Sequence, residues 1–388
     1  MPALPPLLAL PWLVPYLVLP MLSRRRPLLL AEAPAAGPLV SVIVPARNES
    51  GNINRLLTSL RATTYSPVEI VVVDDRSTDD TAARVEAHAK ADPRVRLVRG
   101  EPLPPGWFGK PWACFQGAER AHGELLVFTD ADTTHEPGFL AHAVGAFQRS
   151  GSDLLTVVTG QILKTFWERV VMPHFWLPLG LRYYPGRVNA ATKPRDVLAN
   201  GQFFMTSRTA YTRIGTHEAV RSEVAEDVVI GQRYLSAGLK IRMWWAEELI
   251  QTRMYTGFSH LVEGWSKNLY LGSRASFPGQ PLLQASAPFV LLAGQAFWLA
   301  PLVALLVDGA GWAPWAIGLS AGFWAIISAG LKVPLWYGMT YPIGVLMLVY
   351  LVLRSGFRGR RKIEWRGRTY RGVEDGRSGS KAVEGGRE

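Results

Sequence analysis

Acidic residues sit where three short apolar runs end. Pro45-Ala46-Arg47-Asn48-Glu49 closes the run Leu39–Pro45, Asp74-Asp75-Arg76-Ser77 closes Val68–Asp74, and Asp130-Ala131-Asp132 closes Glu124–Asp130. Two carboxylates at i and i+2 on an extended end reach one hard cation. Mg2+ and Mn2+ take carboxylate together with phosphate oxygens, so Asp130 and Asp132 could hold a cation that neutralises a departing diphosphate. An isolated Asp-x-Asp equally caps a helix or a turn. Asp74 and Asp75 can accept hydrogen bonds from a nucleobase and ribose, although a strand-to-helix turn rich in capping residues has the same composition. Glu226-Asp227 opens the amphipathic stretch Val228–Ala237. A carboxylate aimed at an acceptor hydroxyl takes its proton during displacement, and either acid also favours a helix start electrostatically. Lys110, in Gly106-Trp107-Phe108-Gly109-Lys110-Pro111-Trp112, lies just before a helix, where a cation and free N–H groups suit phosphate. The ordinary fate of a lysine is a solvated surface.

These residues need a scaffold that brings strand ends together. The β-branched apolar runs suit buried parallel strands. Amphipathic stretches, Asn52–Arg61, Thr81–Ala91 and Pro111–His122, lie between them, with Asp79 or Asp80 as N-cap of the second and Arg94–Val98 as a further short strand. Strands alternating with helices predict right-handed βαβ units and an α/β sheet covered on both faces, which binds ligands at the carboxyl ends of its strands. There is no GxGxxG after a strand and no GxxxxGK[ST], which argues against dinucleotide and P-loop sites.

The rest of the 388-residue chain reads as membrane-associated. The whole chain carries 48% apolar and 19% charged residues, with 14 Trp and 28 Pro, and a net charge of +11. The single cysteine, Cys114, excludes a disulfide framework and a Cys-based zinc site. Ala3–Leu22 is uncharged and long enough to span a bilayer, roughly 20 residues, and is followed by Arg24, Arg25 and Arg26. That order is the reverse of a signal peptide, and its prolines make it a poor straight helix. Three more apolar helices are predicted near 286–307, 312–331 and 334–353, ahead of a basic tail suited to anionic lipid. The positive-inside rule puts the chain after Arg24 in the cytoplasm. Four full spans would put the basic tail outside, so one segment is expected to be re-entrant or interfacial. Phe166–Tyr184, aromatic and short, is expected to lie on the membrane.

Together and in this order the motifs Val44-Pro45-Ala46-Arg47-Asn48-Glu49, Val73-Asp74-Asp75-Arg76-Ser77, Asp130-Ala131-Asp132 and Ala225-Glu226-Asp227 resemble family-2 glycosyltransferases with a GT-A domain. A closer resemblance is to membrane glycosyltransferases that act on lipids: hopanoid-associated and carotenoid glycosyltransferases and, more distantly, ceramide glucosyltransferase. Its carriers are Leu103-Pro104-Pro105-Gly106-Trp107 with Gly109-Lys110, and Phe166-Trp167-Glu168-Arg169 with Pro173. Asn200-Gly201-Gln202-Phe203, Gly264-Trp265-Ser266-Lys267-Asn268 and Trp365-Arg366-Gly367-Arg368-Thr369-Tyr370 complete the set, and the resemblance runs from about 39 to 371. It implies a GT-A (nucleotide-diphospho-sugar transferase, Rossmann-like) domain over 39–250, with N-terminal and C-terminal transmembrane helices. Around that domain fall an anchor at 1–22, a linker at 23–38, a juxtamembrane region at 251–285, membrane helices over 286–353 and a basic tail at 354–388. It also implies nucleotide-sugar contacts from Pro45, Arg47, Glu49, Asp74, Asp75, Lys110, Asp130 and Lys267, and a Mg2+ or Mn2+ site at Asp130 and Asp132. Asp227, with Glu226, would be catalytic, and Gly201, Gln202 and Trp265 would line the acceptor side, Trp265 being equally suited to an interfacial anchor.

The implied reaction is a single in-line displacement with inversion, from a nucleotide sugar such as UDP-glucose to a membrane lipid, by a multi-pass inner- or plasma-membrane enzyme with a cytoplasmic catalytic domain. An acceptor that is already an ionised carboxylic acid needs no base. The processive QxxRW motif is absent where Gly264-Trp265-Ser266-Lys267-Asn268 stands, which speaks against a long polymer. A polysaccharide or polyprenyl-phosphate sugar transferase and a non-catalytic membrane scaffold remain as alternatives. Nucleic acid is not expected as a partner, because the basic residues flank apolar segments.

Overall fold

The computed structural model describes residues 7–20, 33–359, 362–365, 368–371 and 382–383. The chain divides into two compact units, each built from separated stretches. One comprises residues 26–162, 183–254 and 358–388, the other residues 1–25, 163–182 and 255–357.

The first unit is an α/β domain. In chain order its first half runs β1 (Ala36–Ala46), α1 (Ile53–Arg61), β2 (Ser66–Asp74), α2 (Thr81–Ala91), β3 (Val95–Arg99), α3 (Gly109–Arg120), β4 (Leu125–Phe128), β5 (Thr133–His135), α4 (Phe139–Ser150), β6 (Leu154–Val158) and β7 (Gly160–Gln161). After an excursion through α5 (Phe166–Arg182), which belongs to the other unit, come α6 (Pro185–Asn189), β8 (Phe204–Ser207), α7 (Arg208–Arg213), α8 (Glu226–Ser236), β9 (Ile241–Trp245) and β10 (Ile250–Thr252). The predicted strands and helices of the first half are all present, with ends shifted by a few residues.

The seven-stranded sheet has the order β3-β2-β1-β4-β8-β6-β9. β1 pairs in parallel with β2 on one side and with β4 on the other. The chain moves outward from β1 to β3 and then returns to the far side of β1. That reversal opens a crevice at the carboxyl ends of β1, β2 and β4, where ligands bind in open sheets of this kind. Val42, Ile43, Val44, Ile70, Val71, Val72 and Val127 are fully buried, which explains why these strands read as continuous apolar runs rather than alternating ones. β8 runs antiparallel to both β4 and β6. A second, small sheet, β5-β10-β7, was not foreseen in the sequence and lies next to the Asp130–Asp132 turn.

The second unit is helical. Besides α5 it contains α9 (Phe258–Ala275), α10 (Pro281–Asp308), α11 (Ala313–Gly330) and α12 (Tyr341–Gly359), the last preceded by a 3-10 helix at Leu335–Thr340. Three stretches are long and apolar enough to cross a membrane: Pro281–Asp308, Ala313–Gly330 and Leu335–Phe357. They coincide with the three C-terminal helices read from the sequence. At the other terminus a nine-residue 3-10 helix, Leu10–Val18, contains Pro15. At about 2 Å rise per residue it falls short of the roughly 30 Å hydrocarbon core. It is built into the helical unit: Trp12 stacks on Phe297 and Trp312, and Tyr16 donates a 2.7 Å hydrogen bond to the Leu319 carbonyl.

Phe166–Tyr184, expected to lie on the membrane, forms α5 over most of its length and belongs to the helical unit. The first half of α5 is buried within the unit, with His174 packed on the Trp324 ring at 3.8 Å. Trp265, expected on the acceptor side or as an interfacial anchor, is buried. It is 6% exposed, stacks on Phe175 at 3.9 Å and donates to Met172 Sδ. Lys267 lies in α9, with its side chain outside the described residues, as is the tail from Gly376 onward apart from Ala382–Val383.

Candidate active site

The carboxyl ends of β1 and β2 carry two interlocked loops. Asn48 and Arg76 both take left-handed backbone conformations, φ 52° and 55°, so each loop turns sharply as it leaves its strand. Arg47 donates through Nη1 to the carbonyls of Asp75 and Arg76, at 2.6 and 2.8 Å. The Asn48 N–H donates to Ser77 Oγ, and Asn48 Oδ1 accepts from the Thr78 N–H. Glu49 accepts from Asn52 Nδ2, and its own N–H donates to Thr81 Oγ1. Arg47 and Glu49 are thus framework for the loops. Pro45 closes β1 and is half-buried. Asp74 and Asp75 are buried at the floor, with Asp74 Oδ1 accepting from the Ser77 N–H. Asp79, rather than Asp80, meets the first N–H of α2, accepting from Thr81.

Beyond β4 the chain turns through Asp130-Ala131-Asp132, held from beneath by a buried hydroxyl–imidazole network. Thr133 Oγ1 donates to the Asp130 carbonyl at 2.9 Å, and His135 Nε2 lies 3.1 Å from Thr133 Oγ1 and 3.2 Å from Thr129 Oγ1. Burial pushes His135 down to about 3, so its ring is neutral and serves only as a hydrogen-bonding partner. Thr129 Oγ1 donates to the Gln202 carbonyl, and Thr159 donates to Gln202 Oε1. The small sheet supplies the other side: Thr252 Oγ1 donates to Asp132 Oδ1 at 3.1 Å, and the Arg253 N–H donates to the Asp132 carbonyl. Thr129, Thr133, His135 and Thr252 were not singled out in the sequence. Their only signal is a short β-branched run, Thr133-Thr134-His135, and a threonine 120 residues away from Asp132.

Facing the turn are Lys110 and the start of α8. Lys110 Nζ sits 2.8 Å from Asp130 Oδ1 and 2.9 Å from Glu226 Oε1. Burial alone would lower the lysine, but Asp130, Glu226 and Asp227 raise it well above its ordinary value, so it stays an ammonium ion. Asp227 Oδ2 accepts from the Gly201 N–H at 3.2 Å, and its Oδ1 accepts from the Val228 N–H. Burial, with Glu226 adding to it, raises Asp227 to about 6 against the pull of Lys110. Asp130 is likewise raised to about 6, by burial and by Asp132. A Cβ on Gly201 would stand 2.9 Å from Lys110 Nζ and 3.2 Å from Asp227 Oδ2, so only glycine lets the loop approach this closely. The structure therefore brings Lys110, Asp130, Asp132, Gly201, Gln202, Glu226 and Asp227 to one place in the α/β unit. Trp265 and Lys267 belong to the helical unit.

Among the described residues no group of three or more His, Cys, Asp or Glu side chains is arranged to hold a metal. The donor set nonetheless fits a hard divalent cation that shares its shell with substrate. Asp130 and Asp132 offer carboxylate oxygens in a region of excess negative charge, and Mg2+-type ions characteristically complete such pairs with phosphate oxygens and water.

Residues 41–215 match the profile of Glycosyl transferase family 2. The match covers 175 of the 388 residues and falls wholly within the stretch that contains the α/β unit's first strands and α5. The family 2 match spans β1 to α7 and includes both loops and the Asp130–Asp132 turn. A 4,4'-diaponeurosporenoate glycosyltransferase of Staphylococcus aureus (strain MRSA252) is 29% identical over 244 residues, covering 62% of this chain and 63% of that protein. The protein of the same name from strain USA300 matches with the same identity and coverage. The chain thus spans 63% of the length of these curated relatives. Among solved structures, a mannosyltransferase of Pyrobaculum calidifontis, in complex with GDP-Man and Mn2+, superposes with a TM-score of 0.54 at 21% identity, over 88% of this chain and 94% of that one. This likeness shows the fold: the chain has a GT-A-like mixed sheet, with C-terminal apolar helices that are candidate membrane spans.

Proposed function

We propose that the protein is a membrane-bound, non-processive glycosyltransferase that moves a sugar from a nucleotide diphosphate sugar to a lipid acceptor of carotenoid type. The observation that carries this reading is the meeting of Lys110, Asp130, Asp132 and Asp227 at the reversal of strand order, in a chain that matches family 2 and whose curated relatives are named for a carotenoid acceptor.

Asp74 and Asp75 accept hydrogen bonds from the nucleoside. Asp130 and Asp132 would hold a divalent cation, Mg2+ or Mn2+; bound there, it supplies charge neutralisation at the leaving diphosphate. Mn2+ in the Pyrobaculum complex supports a metal of this class. The anomeric carbon–oxygen bond to the diphosphate breaks as the acceptor oxygen bonds to that carbon from the opposite face, with inversion. Asp227 takes the proton of an acceptor hydroxyl. Its raised value of about 6 puts it near the working range of a general base, and the Gly201 and Val228 N–H groups orient its two oxygens. Three candidate spans support attachment to a membrane, where the acceptor is dissolved. We place the α/β domain on the cytoplasmic side of a multi-pass protein.

A second reading concerns the acceptor group. The relatives' name denotes a carboxylate, and an ionised acid needs no base. Asp227→Asn separates the two: near-full transfer points to an acid acceptor, and loss of transfer points to a hydroxyl.

The test is an assay of purified protein in detergent with radiolabelled UDP-glucose, then GDP-mannose, with Mg2+ or Mn2+ and a carotenoid-containing lipid extract. Label entering the organic phase with wild type, and not with Asp130→Ala/Asp132→Ala, is the expected result. Absence of both transfer and sugar-nucleotide hydrolysis with every donor and metal would leave a membrane scaffold as the better account.

A further inference from the structure

The position of Lys110 has a consequence for how the site fills. The inference rests on the reading of Asp130 and Asp132 as the cation's ligands. Lys110 Nζ occupies the open side of the Asp130 carboxylate at 2.8 Å, and a second ion pair of 2.9 Å fastens it to Glu226, which is buried. Gly201 keeps the space beside it clear. A divalent cation binds a carboxylate oxygen at about 2.0–2.1 Å in near-octahedral geometry. The ammonium, hydrogen-bonded to that same carboxylate, competes for Asp130 Oδ1 and repels an incoming dication at short range. Glu226 then matters as a tether: it shares the ammonium and can retain it when Asp130 lets go. A diphosphate entering the crevice offers a second anion to the same ammonium.

We infer that Lys110 is a built-in counter-ion that competes with a divalent cation for Asp130, and that Glu226 is the position to which it withdraws when such a cation binds. The protein without nucleotide therefore holds Mn2+ weakly. Removing the ammonium strengthens that binding, whereas removing the tether weakens it, because the lysine then rests on Asp130 alone. The opposite signs matter, since a merely structural role for this pair would weaken metal binding in both variants.

The experiment is Mn2+ titration of the purified full chain in detergent, without nucleotide, followed by the EPR signal of free Mn2+. Lys110→Met is expected to bind Mn2+ at least about tenfold more tightly than wild type, the size of a typical coupling between sites. Lys110→Gln, which keeps length and polarity without charge, should do the same, and Glu226→Gln should bind more weakly than wild type. Tryptophan-fluorescence melts establish that each variant is folded. Equal or weaker Mn2+ binding by folded Lys110→Met and Lys110→Gln overturns the inference alone. If Asp130→Ala/Asp132→Ala in the Lys110→Met background leaves the tighter binding intact, the cation does not sit on this pair, and the reading of the site falls with the inference.

Discussion

The two ends of one sheet handle buried charge in opposite ways. At the amino ends of the strands, Glu69 accepts from Ser41 Oγ at 2.6 Å, from the His122 N–H at 2.5 Å and from Arg96 Nη1 at 3.0 Å. Although desolvation raises it, these hydrogen bonds hold its carboxyl down at about 2. Ser41 Oγ also accepts from the Gly123 N–H, so the corner joining β1, β2, β3 and the approach to β4 is fully paired. At the carboxyl ends, Lys110 pairs with Asp130 and Glu226, and the crowded carboxyls of Asp130 and Asp227 are pushed up to about 6. In the first cluster hydrogen bonds hold the carboxyl down; in the second, burial and neighbouring acids hold two carboxyls up. Proteins keep such frustrated charge where function requires it and offset its cost elsewhere.

The sharpest way to break the comparison is to neutralise each end. Asp130→Ala or Asp132→Ala should lower transfer by about a thousandfold or more, a loss typical of removing transition-state charge stabilisation. The melting temperature should stay or rise, because like-charge repulsion is relieved. A simultaneous drop in melting temperature would mean that the acids are structural.

Asp227→Asn should lower transfer to a hydroxyl acceptor by about 10^2- to 10^4-fold, while binding of the nucleotide stays near wild type. Wild-type kcat/KM for such an acceptor should rise with pH through about 6 and level off above it. A flat profile with an acid acceptor would assign the carboxylate chemistry instead.

Glu69→Gln should leave the specific activity of the folded protein unchanged while costing about 2–3 kcal/mol of stability, the scale for disturbing a buried charged hydrogen-bonded group. Chemical unfolding followed by tryptophan fluorescence measures it. The two ends also differ in pH sense. Glu69 has a depressed value, so its contribution is present above its unfolded value near 4.5 and is lost as pH falls toward 2. Asp227 has a raised value, so its effect runs the other way: stability is higher below its unfolded value and declines as pH rises toward 6. Glu69→Gln should therefore flatten the acid limb of the stability profile, and Asp227→Asn the limb between about 4 and 6.

The smallest effect is expected at Thr133→Val. Losing the bond to the Asp130 carbonyl should cost about 1 kcal/mol, read by chemical unfolding, and weaken Mn2+ binding modestly, read by the EPR titration.

Much of the domain was legible because its elements are local. β1, β2 and β4 declare themselves as apolar runs, and the acids Asp74, Asp130 and Asp132 stand at their ends, where a parallel sheet exposes its ligand crevice. Glu226-Asp227 at the start of α8 was equally plain. What escaped depends on pairing across long stretches of chain. β8 is four residues long and inserts antiparallel between β4 and β6. Thr252 reaches Asp132 only because β10 pairs with β5. Lys110 looked like a surface lysine with an affinity for phosphate; its partners are 20 and 116 residues further on, and no local pattern announces them. Arg47 and Glu49 read as ligand-facing residues, but the hydrogen bonds by which they tie the two loops together had no local signal.

The interleaving of the two units sets a timetable for biosynthesis. Residues 1–25 and the α5 stretch leave the ribosome long before the helices they belong with. At about 5–20 residues per second, roughly 5–20 s separate the emergence of Arg182 from that of Pro281. Over that interval the aromatic faces of Trp12 and α5 have no finished partner. β8, β9 and β10 meanwhile complete a sheet through which the chain has already passed once. The nascent protein must therefore keep an apolar helix soluble, or lodged in lipid, while the α/β domain is completed from a later stretch of chain.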